Sequence, residues 1–296
     1  MTAQLRGIFP AIVTPMHDDE TIDEAGLRAH TRRMLDAGVH GIFSGGTNGE
    51  FYALSYAERL RTLEIVVDEV AGTAPVIAGT GCVTTGETIA LTRAAGRAGA
   101  AAVSVITPYF APATQEQLSD HFTAVADASE VPVMMYNIPA RTQNSITPAT
   151  VAKLAEHPRI VGAKDSSGDP SVLTGYIEST PEDFIVLAGS DALVLTGLAA
   201  GGDGAITGMA NIFPGTMVAI HRAHQAGDLA TAQAHQDAIA EFRKALQLGN
   251  PSTVVKEAVN LRGFPVGPGR APFARLSDEA RELLRAALST SSELLH

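Results

Sequence analysis

Short apolar runs alternate with longer stretches of helical periodicity along the first three quarters of the chain. Each run is almost continuously apolar, which is typical of strands covered on both faces. There are eight such runs, at residues 8–13, 41–44, 75–78, 101–107, 131–136, 160–164, 184–188 and 204–207. The stretches between them space apolar residues three or four positions apart, and several follow Asp, Ser or Thr, which cap helices. They include residues 23–37, 55–70, 85–98 and 115–128.

Eight strand and helix units within roughly 225 residues predict an α/β fold of the (β/α)8 TIM barrel type. The alternative is a doubly wound open sheet, which often carries G-x-G-x-x-G after its first strand. Thr14-Pro15-Met16 stands at that place here, so we favour the barrel. From residue 212 the pattern is helical to the end, with breaks at 249–251 and 265–272. We predict a catalytic barrel over residues 1–225 and additional C-terminal helices, residues 226–296, packed on it.

The composition narrows the possible functions. The formal charge is −11 and no run of Lys or Arg occurs, which argues against nucleic-acid and anionic-membrane binding. No stretch approaches the ~20 apolar residues needed to span a bilayer, and the first seven residues lack the apolar core of a signal peptide. We therefore expect a cytoplasmic protein that acts on small molecules. The single cysteine, Cys82, is interpreted as a small buried residue because it has no evident His partner.

Lys164 is the strongest candidate for chemistry. It is one of four lysines, and it ends the sixth apolar run, whereas Lys153, Lys244 and Lys256 fall in helical stretches where a solvated face explains them. A lysine at the tip of a buried parallel strand lies where barrels place their active sites, and desolvation favours its neutral, nucleophilic form. Lys164 is therefore a candidate for Schiff-base formation. The alternative is a strand-end lysine neutralised by Asp165 or another acid.

Two other strand ends carry polar residues. After the second run, the glycines of residues 44–50 allow a tight turn with exposed N–H groups, where Thr47 and Asn48 can help to hold a carboxylate. After the fifth run, Tyr136 can relay a proton and Arg141 can bind a substrate carboxylate. Each feature also has an ordinary interpretation as a βα turn, a core-edge tyrosine or a surface arginine.

Together these strand ends predict carbonyl chemistry on a 2-oxo acid. The lysine would form an imine, and the protonated imine would allow the neighbouring carbon to lose a proton and become an enamine. Metal-dependent aldol chemistry is the competing route to the same carbanion. The chain has no H-E-x-x-H, and His221 and His224 fall in a late helical segment where a solvated face explains them. We therefore expect no metal and no separate cofactor, only the covalent imine on Lys164.

The chain resembles the dihydrodipicolinate synthase/N-acetylneuraminate lyase family of class I aldolases over nearly its whole length. The most specific matching segments are Gly46-Thr47-Asn48-Gly49-Glu50, Tyr136-Asn137-Ile138-Pro139 and Val161-Gly162-Ala163-Lys164-Asp165. The resemblance implies a (β/α)8 barrel with three C-terminal helices, usually assembled as a homotetramer, with a dimer as the smaller possibility.

The resemblance also implies roles for single residues. Lys164 would form the Schiff base with pyruvate or another 2-oxo acid, and Tyr136 would be the central acid and base. Thr47 would link this relay to the substrate and, with the backbone of Asn48, hold its carboxylate. The remaining matched positions, Gly189 and Ile206, would line the pyruvate site.

Two departures from the synthase branch affect the choice of substrate. The synthases carry a tyrosine that reaches into the neighbouring subunit's site, whereas the matching residue here is Phe110, with Tyr109 before it. Asn48 stands where the synthases usually have a second threonine, and resembles branches that act on 4-hydroxy-2-oxo acids or 2-oxo-3-deoxy sugar acids. Arg141, in contrast, matches the arginine that synthases use for the carboxylate of the aldehyde and that sialic-acid lyases lack.

We predict a lyase that makes or cleaves a carbon–carbon bond between pyruvate and an aldehyde, acting on a 2-oxo-3-deoxy sugar acid or a 4-hydroxy-2-oxo acid. The first alternative is 4-hydroxy-tetrahydrodipicolinate synthase, which condenses pyruvate with aspartate semialdehyde. The second is a dehydratase of 2-oxo-3-deoxy sugar acids. A non-catalytic sensor of 2-oxo acids is disfavoured, because a simple binder does not need both Lys164 and Tyr136.

Overall fold

Eight parallel strands form a ring in the computed structural model, which describes residues 5–273 and 275–296. The order of neighbours is β1-β8-β7-β6-β5-β4-β3-β2. The ring closes through a parallel bridge between Ala11 and Phe43, where the Ile12 N–H donates to the Phe43 carbonyl at 2.9 Å. The strands are β1 (Gly7–Pro10), β2 (Ile42–Ser44), β3 (Val76–Gly79), β4 (Ala102–Ile106), β5 (Val133–Asn137), β6 (Ile160–Asp165), β7 (Ile185–Ala188) and β8 (Gly204–Thr207). All eight predicted strands and the predicted TIM barrel are confirmed.

Helices cover the outside of the ring and continue into the tail. Those between or after the strands are α1 (Glu24–Asp36), α2 (Tyr56–Val70), α3 (Thr85–Arg97), α4 (Gln115–Ala128), α5 (Pro139–Thr142), α6 (Pro148–Ala155), α7 (Pro170–Ser179), α8 (Val194–Ala199) and α9 (Pro214–Gln225). The tail contains α10 (Leu229–Phe242), α11 (Pro251–Leu261) and α12 (Asp278–Ser289). Side-chain caps begin many of them; Ser55 and Glu58, for example, form a complete capping box at the start of α2.

The strands are apolar on both faces because each face has its own core. The inner faces fill the barrel with one buried cluster, which includes Phe9, Phe43, Met134, Leu187 and Ile206. The outer faces pack against the helices in a second, larger cluster. Alternation of side chains along each strand sends successive residues into these two cores. The polar ends of the strands are thereby left to form a site.

The tail shares the outer core of the barrel. Val254, Val255 and Val259 of α11 are buried in the same cluster as residues from the strands. The tail is more broken than predicted, because Gly227, at φ +76°, separates α9 from α10 and a 3₁₀ helix occupies Arg243–Leu248. The division of the chain at residue 225 stays a prediction.

Three sequence interpretations of single residues were wrong. Lys256 is 1% exposed and not solvated, because α11 presents it to the carboxylate of Glu50. His221 is half-buried, since its ring packs edge-on against His40 with centroids 4.7 Å apart; burial lowers the pKa of His221 to about 4. Cys82 is only partly buried, and its Sγ lies 3.3 Å from Nη1 of Arg59.

The described residues contain neither a membrane-spanning helix nor a metal-binding cluster. Within residues 5–273 and 275–296, no helix combines the length and the apolar character that crossing a bilayer requires. The same ranges contain no group of three His, Cys, Asp or Glu side chains arranged to hold a metal ion.

Candidate active site

Lys164 lies near the C-terminal end of β6, directly beside Tyr136 of β5 in the parallel register. Lys164 is 3% exposed, and its Nζ lies 3.9 Å from the centre of the Tyr136 ring and 5.1 Å from the centre of the Phe43 ring. The nitrogen is thus flanked by aromatic faces inside the mouth of the barrel. A lysine without a carboxylate partner is available to attack a carbonyl group.

Asp165 does not neutralise this lysine. Its carboxylate accepts hydrogen bonds from Asn137 Nδ2 at 2.8 Å and from Ser167 Oγ at 2.7 Å. Burial raises the pKa of Asp165, while these hydrogen bonds act in the opposite direction. No ion pair between Asp165 and Lys164 occurs in the part of the chain that the structure describes. Asp165 instead ties β5 to β6 behind the lysine.

A pair of hydroxyl groups lies beside the lysine. Tyr136 OH and Thr47 Oγ1 are 3.2 Å apart, and either can donate to the other. Tyr136 is 3% exposed, whereas Thr47 is half-buried and faces a cavity. The pair can therefore pass a proton between the barrel axis and that cavity.

The turn that carries Thr47 approaches the backbone of the neighbouring strand end. Gly45 has φ +75°, a conformation that favours glycine, and a Cβ on Gly79 would lie 2.2 Å from the Gly45 carbonyl oxygen, so Gly79 has no room for a larger residue. Among the described residues, the N–H groups of Thr47 and Asn48 donate to no other group of the protein. These N–H groups and the Thr47 hydroxyl are available to a carboxylate.

Two glycines leave space for predicted site residues. A Cβ on Gly189 would lie 2.0 Å from Ser166 Oγ and 2.8 Å from Lys164 Cε. A Cβ on Gly208 would lie 2.6 Å from Asn48 Nδ2. Gly189 therefore lies directly against the lysine, and the Asn48 side chain lies over the loop that follows β8.

Ile206 forms part of the wall of the barrel interior. It is 1% exposed and belongs to the inner core cluster. Continuing the β7–β8 register beyond Ala188 and Ala205 places Ile206 level with Gly189. It therefore offers an apolar surface near the lysine.

A cavity of about 310 Å³ lies above this group. Of the predicted site residues, Thr47, Asn48 and Arg141 line it, whereas Lys164, Tyr136, Gly189 and Ile206 do not. Its other lining residues are Phe51, Tyr52, Ile106, Tyr109, Thr142, Asn250, Pro251, Ser252 and Phe273. Arg141 is exposed on α5 and forms no ion pair within the described ranges, so its guanidinium is free to bind an anionic substrate.

Several residues of this site were not predicted from the sequence. The cavity is also lined by three residues of the tail, Asn250, Ser252 and Phe273. They were not predicted because the predicted site residues came from the strand ends alone. Ser166 Oγ is buried and has no hydrogen-bond partner among the described residues. The alternation of a strand could have revealed Ser166, because it stands two positions after Lys164 and so shares its direction.

The segment after β4 separates two aromatic residues. Phe110 is 90% exposed and has φ +80°, while Tyr109 packs edge-on against Phe51 and lines the cavity. Burial raises the pKa of Tyr109. Tyr109 thus supplies the hydroxyl nearest the cavity in this segment, and Phe110 supplies none.

Fold and site together define a class of enzyme, the parallel barrel with a buried lysine among its strand ends. The comparison with known families agrees with this class, because the model of the dihydrodipicolinate synthetase family matches residues 4–291. The chain belongs to the dihydrodipicolinate synthetase family. It is therefore a pyruvate-dependent class I aldolase or lyase that acts on carbon–carbon bonds.

Relatives and solved structures match over almost the full length. A protein named 4-hydroxy-tetrahydrodipicolinate synthase from Methanopyrus kandleri is 43% identical over 97% of each chain. An uncharacterised DapA-like lyase of Halobacterium salinarum is 41% identical over 96% of this chain and 93% of its own.

Among solved structures, dihydrodipicolinate synthase DapA-2 of Bacillus anthracis is 34% identical with a TM-score of 0.94, covering 97% of this chain and 99% of its own. YagE, a prophage protein of the same family from E. coli K12, was solved in complex with pyruvate. It is 34% identical with a TM-score of 0.93, covering 96% of this chain and 97% of its own.

Proposed function

We propose that Lys164 forms an imine with pyruvate, and that the enzyme then makes or cleaves the bond between pyruvate and an aldehyde. The observation that carries this proposal is the position of Lys164 Nζ, 3.9 Å from the centre of the Tyr136 ring. Tyr136 in turn places its hydroxyl 3.2 Å from that of Thr47. A nucleophile and a proton relay therefore lie side by side in a buried site.

In the proposed reaction, the Lys164 amine attacks the carbonyl carbon of pyruvate. Tyr136 supplies a proton to the hydroxyl of the resulting carbinolamine, which leaves as water, and Tyr136 regains a proton through Thr47. The positive imine then draws electrons from the methyl carbon, which loses a proton and becomes an enamine carbon. That carbon attacks the aldehyde carbon, and the aldehyde oxygen takes up a proton. Water, or an amino group carried by the aldehyde, then displaces the Lys164 nitrogen from the imine carbon. Cleavage is the same sequence in reverse.

The surrounding residues hold the two substrates. In this proposal, the free N–H groups of Thr47 and Asn48 bind the carboxylate of pyruvate. Gly189 lacks the Cβ that would collide with Lys164 Cε, so the lysine keeps its position there, and Ile206 supplies an apolar wall. The imine takes the place of a separate cofactor.

We propose aspartate semialdehyde as the aldehyde, which makes the enzyme a 4-hydroxy-tetrahydrodipicolinate synthase. Several full-length relatives, 39–43% identical, carry this name. Arg141 supports the proposal, because a free guanidinium in the cavity suits an aldehyde that carries a carboxylate. These comparisons favour the first alternative over the sugar-acid lyase predicted from the sequence.

A lyase for 2-oxo-3-deoxy sugar acids or 4-hydroxy-2-oxo acids is the second candidate. Phe110 supports it, because this residue offers no hydroxyl to a synthase relay. Ser166 supports it as well, since its buried hydroxyl is unpartnered within the described residues and lies beside Gly189. A substrate hydroxyl could satisfy it.

Borohydride trapping tests the imine. The protein is incubated with pyruvate and borohydride, and the modified peptide is located by mass spectrometry. We expect a reduced adduct on Lys164. An adduct with a 2-oxo-3-deoxy sugar acid but none with pyruvate would indicate the dehydratase instead, and no adduct with either would contradict the proposal.

Aldehyde competition separates the two candidate substrates. We expect kcat/KM with aspartate semialdehyde to exceed that with sugar aldehydes by at least about tenfold, or about 1.4 kcal/mol of transition-state binding. Phe110→Tyr adds a hydroxyl and Phe110→Leu is its control without one. A synthase rate that rises only in Phe110→Tyr would show that Phe110 limits the relay, and faster turnover of sugar aldehydes by the unaltered enzyme would favour the second candidate.

We also propose that the enzyme assembles as a homotetramer, with a dimer as the smaller possibility. Tyr56, Val83 and Phe110 support this proposal, because they are exposed apolar side chains at the end of the barrel where the strands finish. Light scattering coupled to size exclusion measures the mass, and a monomer at micromolar concentration would contradict the proposal.

A further inference from the structure

A buried ion pair joins the tail to the turn that carries Thr47. Lys256 Nζ of α11 lies 2.8 Å from Glu50 Oε1, and each side chain is 2% exposed. Lys256 also donates to the Pro268 carbonyl at 2.5 Å, and Glu50 Oε2 accepts from the Arg270 N–H at 3.0 Å. Burial lowers the pKa of Lys256, and Glu50 opposes that shift.

Such a pair adds little to net stability. Removing two charges from water is costly, and their mutual attraction offsets that cost only in part. A pair of apolar side chains of similar volume often stabilises a core equally well. Stability alone therefore does not explain the Lys256–Glu50 pair, and the backbone that the pair holds in place is the better explanation.

Glu50 ends the same turn that begins at Thr47. Its N–H donates to the Thr47 carbonyl at 3.0 Å, and its φ of +57° is a left-handed conformation that strains a residue with a side chain. Its carboxylate is fixed by Lys256 and by the Arg270 N–H. The surrounding contacts therefore hold a conformation that the turn would not favour alone.

The same helix also holds the other end of the turn. Ser252, in the first turn of α11, donates through Oγ to the Thr47 carbonyl at 3.1 Å. Helix α11 is therefore bonded to both Thr47 and Glu50, on either side of the N–H group of Asn48.

We infer that Lys256 and Ser252 are positioning residues, which fix the turn 47–50 in the geometry that binds the carboxylate of a 2-oxo acid. This inference rests on the proposed function. The turn holds the carboxylate through backbone N–H groups, whose directions depend on the backbone alone. A shift of roughly 1 Å in such groups is enough to weaken binding strongly.

Lys256→Met tests this inference, because methionine fills a similar volume without a charge. The pyruvate concentration that gives half-maximal adduct formation is measured by borohydride trapping, together with KM and kcat. We expect that concentration and the KM for pyruvate to rise about tenfold. The KM for the aldehyde and kcat at saturating pyruvate should change by less than about threefold, because Lys164 and Tyr136 are untouched.

Arg281→Met is the matched control. Arg281 Nε lies 2.5 Å from Oε1 of Glu257, the residue that follows Lys256 in α11. The variant therefore breaks a surface ion pair made by the same helix. We expect it to leave the half-saturating pyruvate concentration unchanged. If the role of Lys256 is purely structural, Lys256→Met will have a lower melting temperature and an unchanged half-saturating pyruvate concentration. This result would overturn the inference.

Ser252→Ala is the second variant, and we expect it to fold because it removes a single hydroxyl that donates one hydrogen bond. We expect it to raise the half-saturating pyruvate concentration about threefold, and it decides the question if Lys256→Met is recovered unfolded. The inference would be overturned if Ser252→Ala, and Lys256→Met if it folds, bind pyruvate as the unaltered enzyme does. Normal trapping of pyruvate by the unaltered enzyme would still uphold the proposed function in that case. Failure of the unaltered enzyme to form an adduct would instead refute the proposed function.

Discussion

At the scale of single residues, the proposed chemistry depends on the hydroxyl of Tyr136 as much as on the amine of Lys164. Formation of the imine, its conversion to an enamine and its hydrolysis each move a proton. Tyr136 is 3% exposed, so bulk water has little access to replace it. Its neighbour Thr47 provides the only hydroxyl bonded to it among the described residues. The pair is therefore a single functional unit.

Tyr136→Phe should lower kcat by roughly 10²- to 10⁴-fold, because general acid and base catalysis contributes on this order. The ring still packs with Phe51 and Ile106, so the fold should persist. Steady-state kinetics and thermal unfolding measure the two effects.

Tyr176→Phe is the control for this prediction. Tyr176 is fully buried outside the site and donates to the Ile146 carbonyl at 2.6 Å. Loss of that hydroxyl should cost about 1–3 kcal/mol of unfolding free energy and leave kcat unchanged. Equal losses of kcat in both variants would mean that Tyr136 acts through packing and not through its hydroxyl.

A site residue can be predicted from the sequence when it has a reactive side chain and also stands at the end of a predicted strand. Lys164, Tyr136 and Thr47 combine reactive groups with strand ends, and the structure places them together. Lys256 was misread because its burial depends on Glu50, 206 positions away, and no local pattern contains that contact.

At the scale of elements, Arg270 ties the first turn of α2 to the tail. Its guanidinium donates to the Glu58 carboxylate at 2.7 and 3.0 Å, and to the carbonyls of Ala53 and Glu20 at 2.7 Å each. The hydrogen bond from Arg270 is the main reason that the pKa of Glu58 falls from 4.5 to about 2. A fall in pH toward 2 should therefore weaken the contact between α2 and the tail, because it protonates Glu58.

Glu58→Gln should make the pH dependence visible. Because the folded pKa is depressed, the stabilisation is present above pH 4.5 and is lost as the pH falls toward 2. We expect the variant to be about 1 kcal/mol less stable at pH 7, a modest value because solvent screens a partly exposed pair. Near pH 2.5 most of that difference should have disappeared. Urea unfolding of both proteins at the two pH values measures it, and an equal difference at both would contradict the assigned cause.

The elements themselves follow from the periodicity of the chain to a large extent. Each strand of the barrel overlaps a predicted apolar run, since a strand buried on both faces leaves a continuous apolar signal, although four strands extend one residue beyond the predicted run. The break at Gly227 was missed, although glycine followed by Asp228 is a recognisable helix end and helix cap. Helical periodicity on both sides concealed it.

At the scale of the whole molecule, the tail completes the site that the barrel begins. Asn250 and Ser252 line the cavity, and Lys256 fixes the turn that carries Thr47. Val254 and Val255 share the outer core of the barrel. The sequence could not predict this, because apolar stripes on the tail fit packing on the barrel and contact between subunits equally well. We therefore propose that the unit that folds and the unit that reacts both extend past residue 225.

Truncation tests that proposal. A chain that ends after residue 225 would uncover Met217 and Ile220 of α9, which are fully buried in the core. We expect it to unfold without cooperativity and to form no adduct on Lys164 with pyruvate and borohydride. A chain that ends after Ser289 retains α12 and loses only residues 290–296, so it should trap pyruvate even if the lost contact with Thr216 lowers its melting temperature. Cooperative unfolding and normal adduct formation by the 1–225 chain would show that the barrel suffices, because a site that needs the tail cannot form without it.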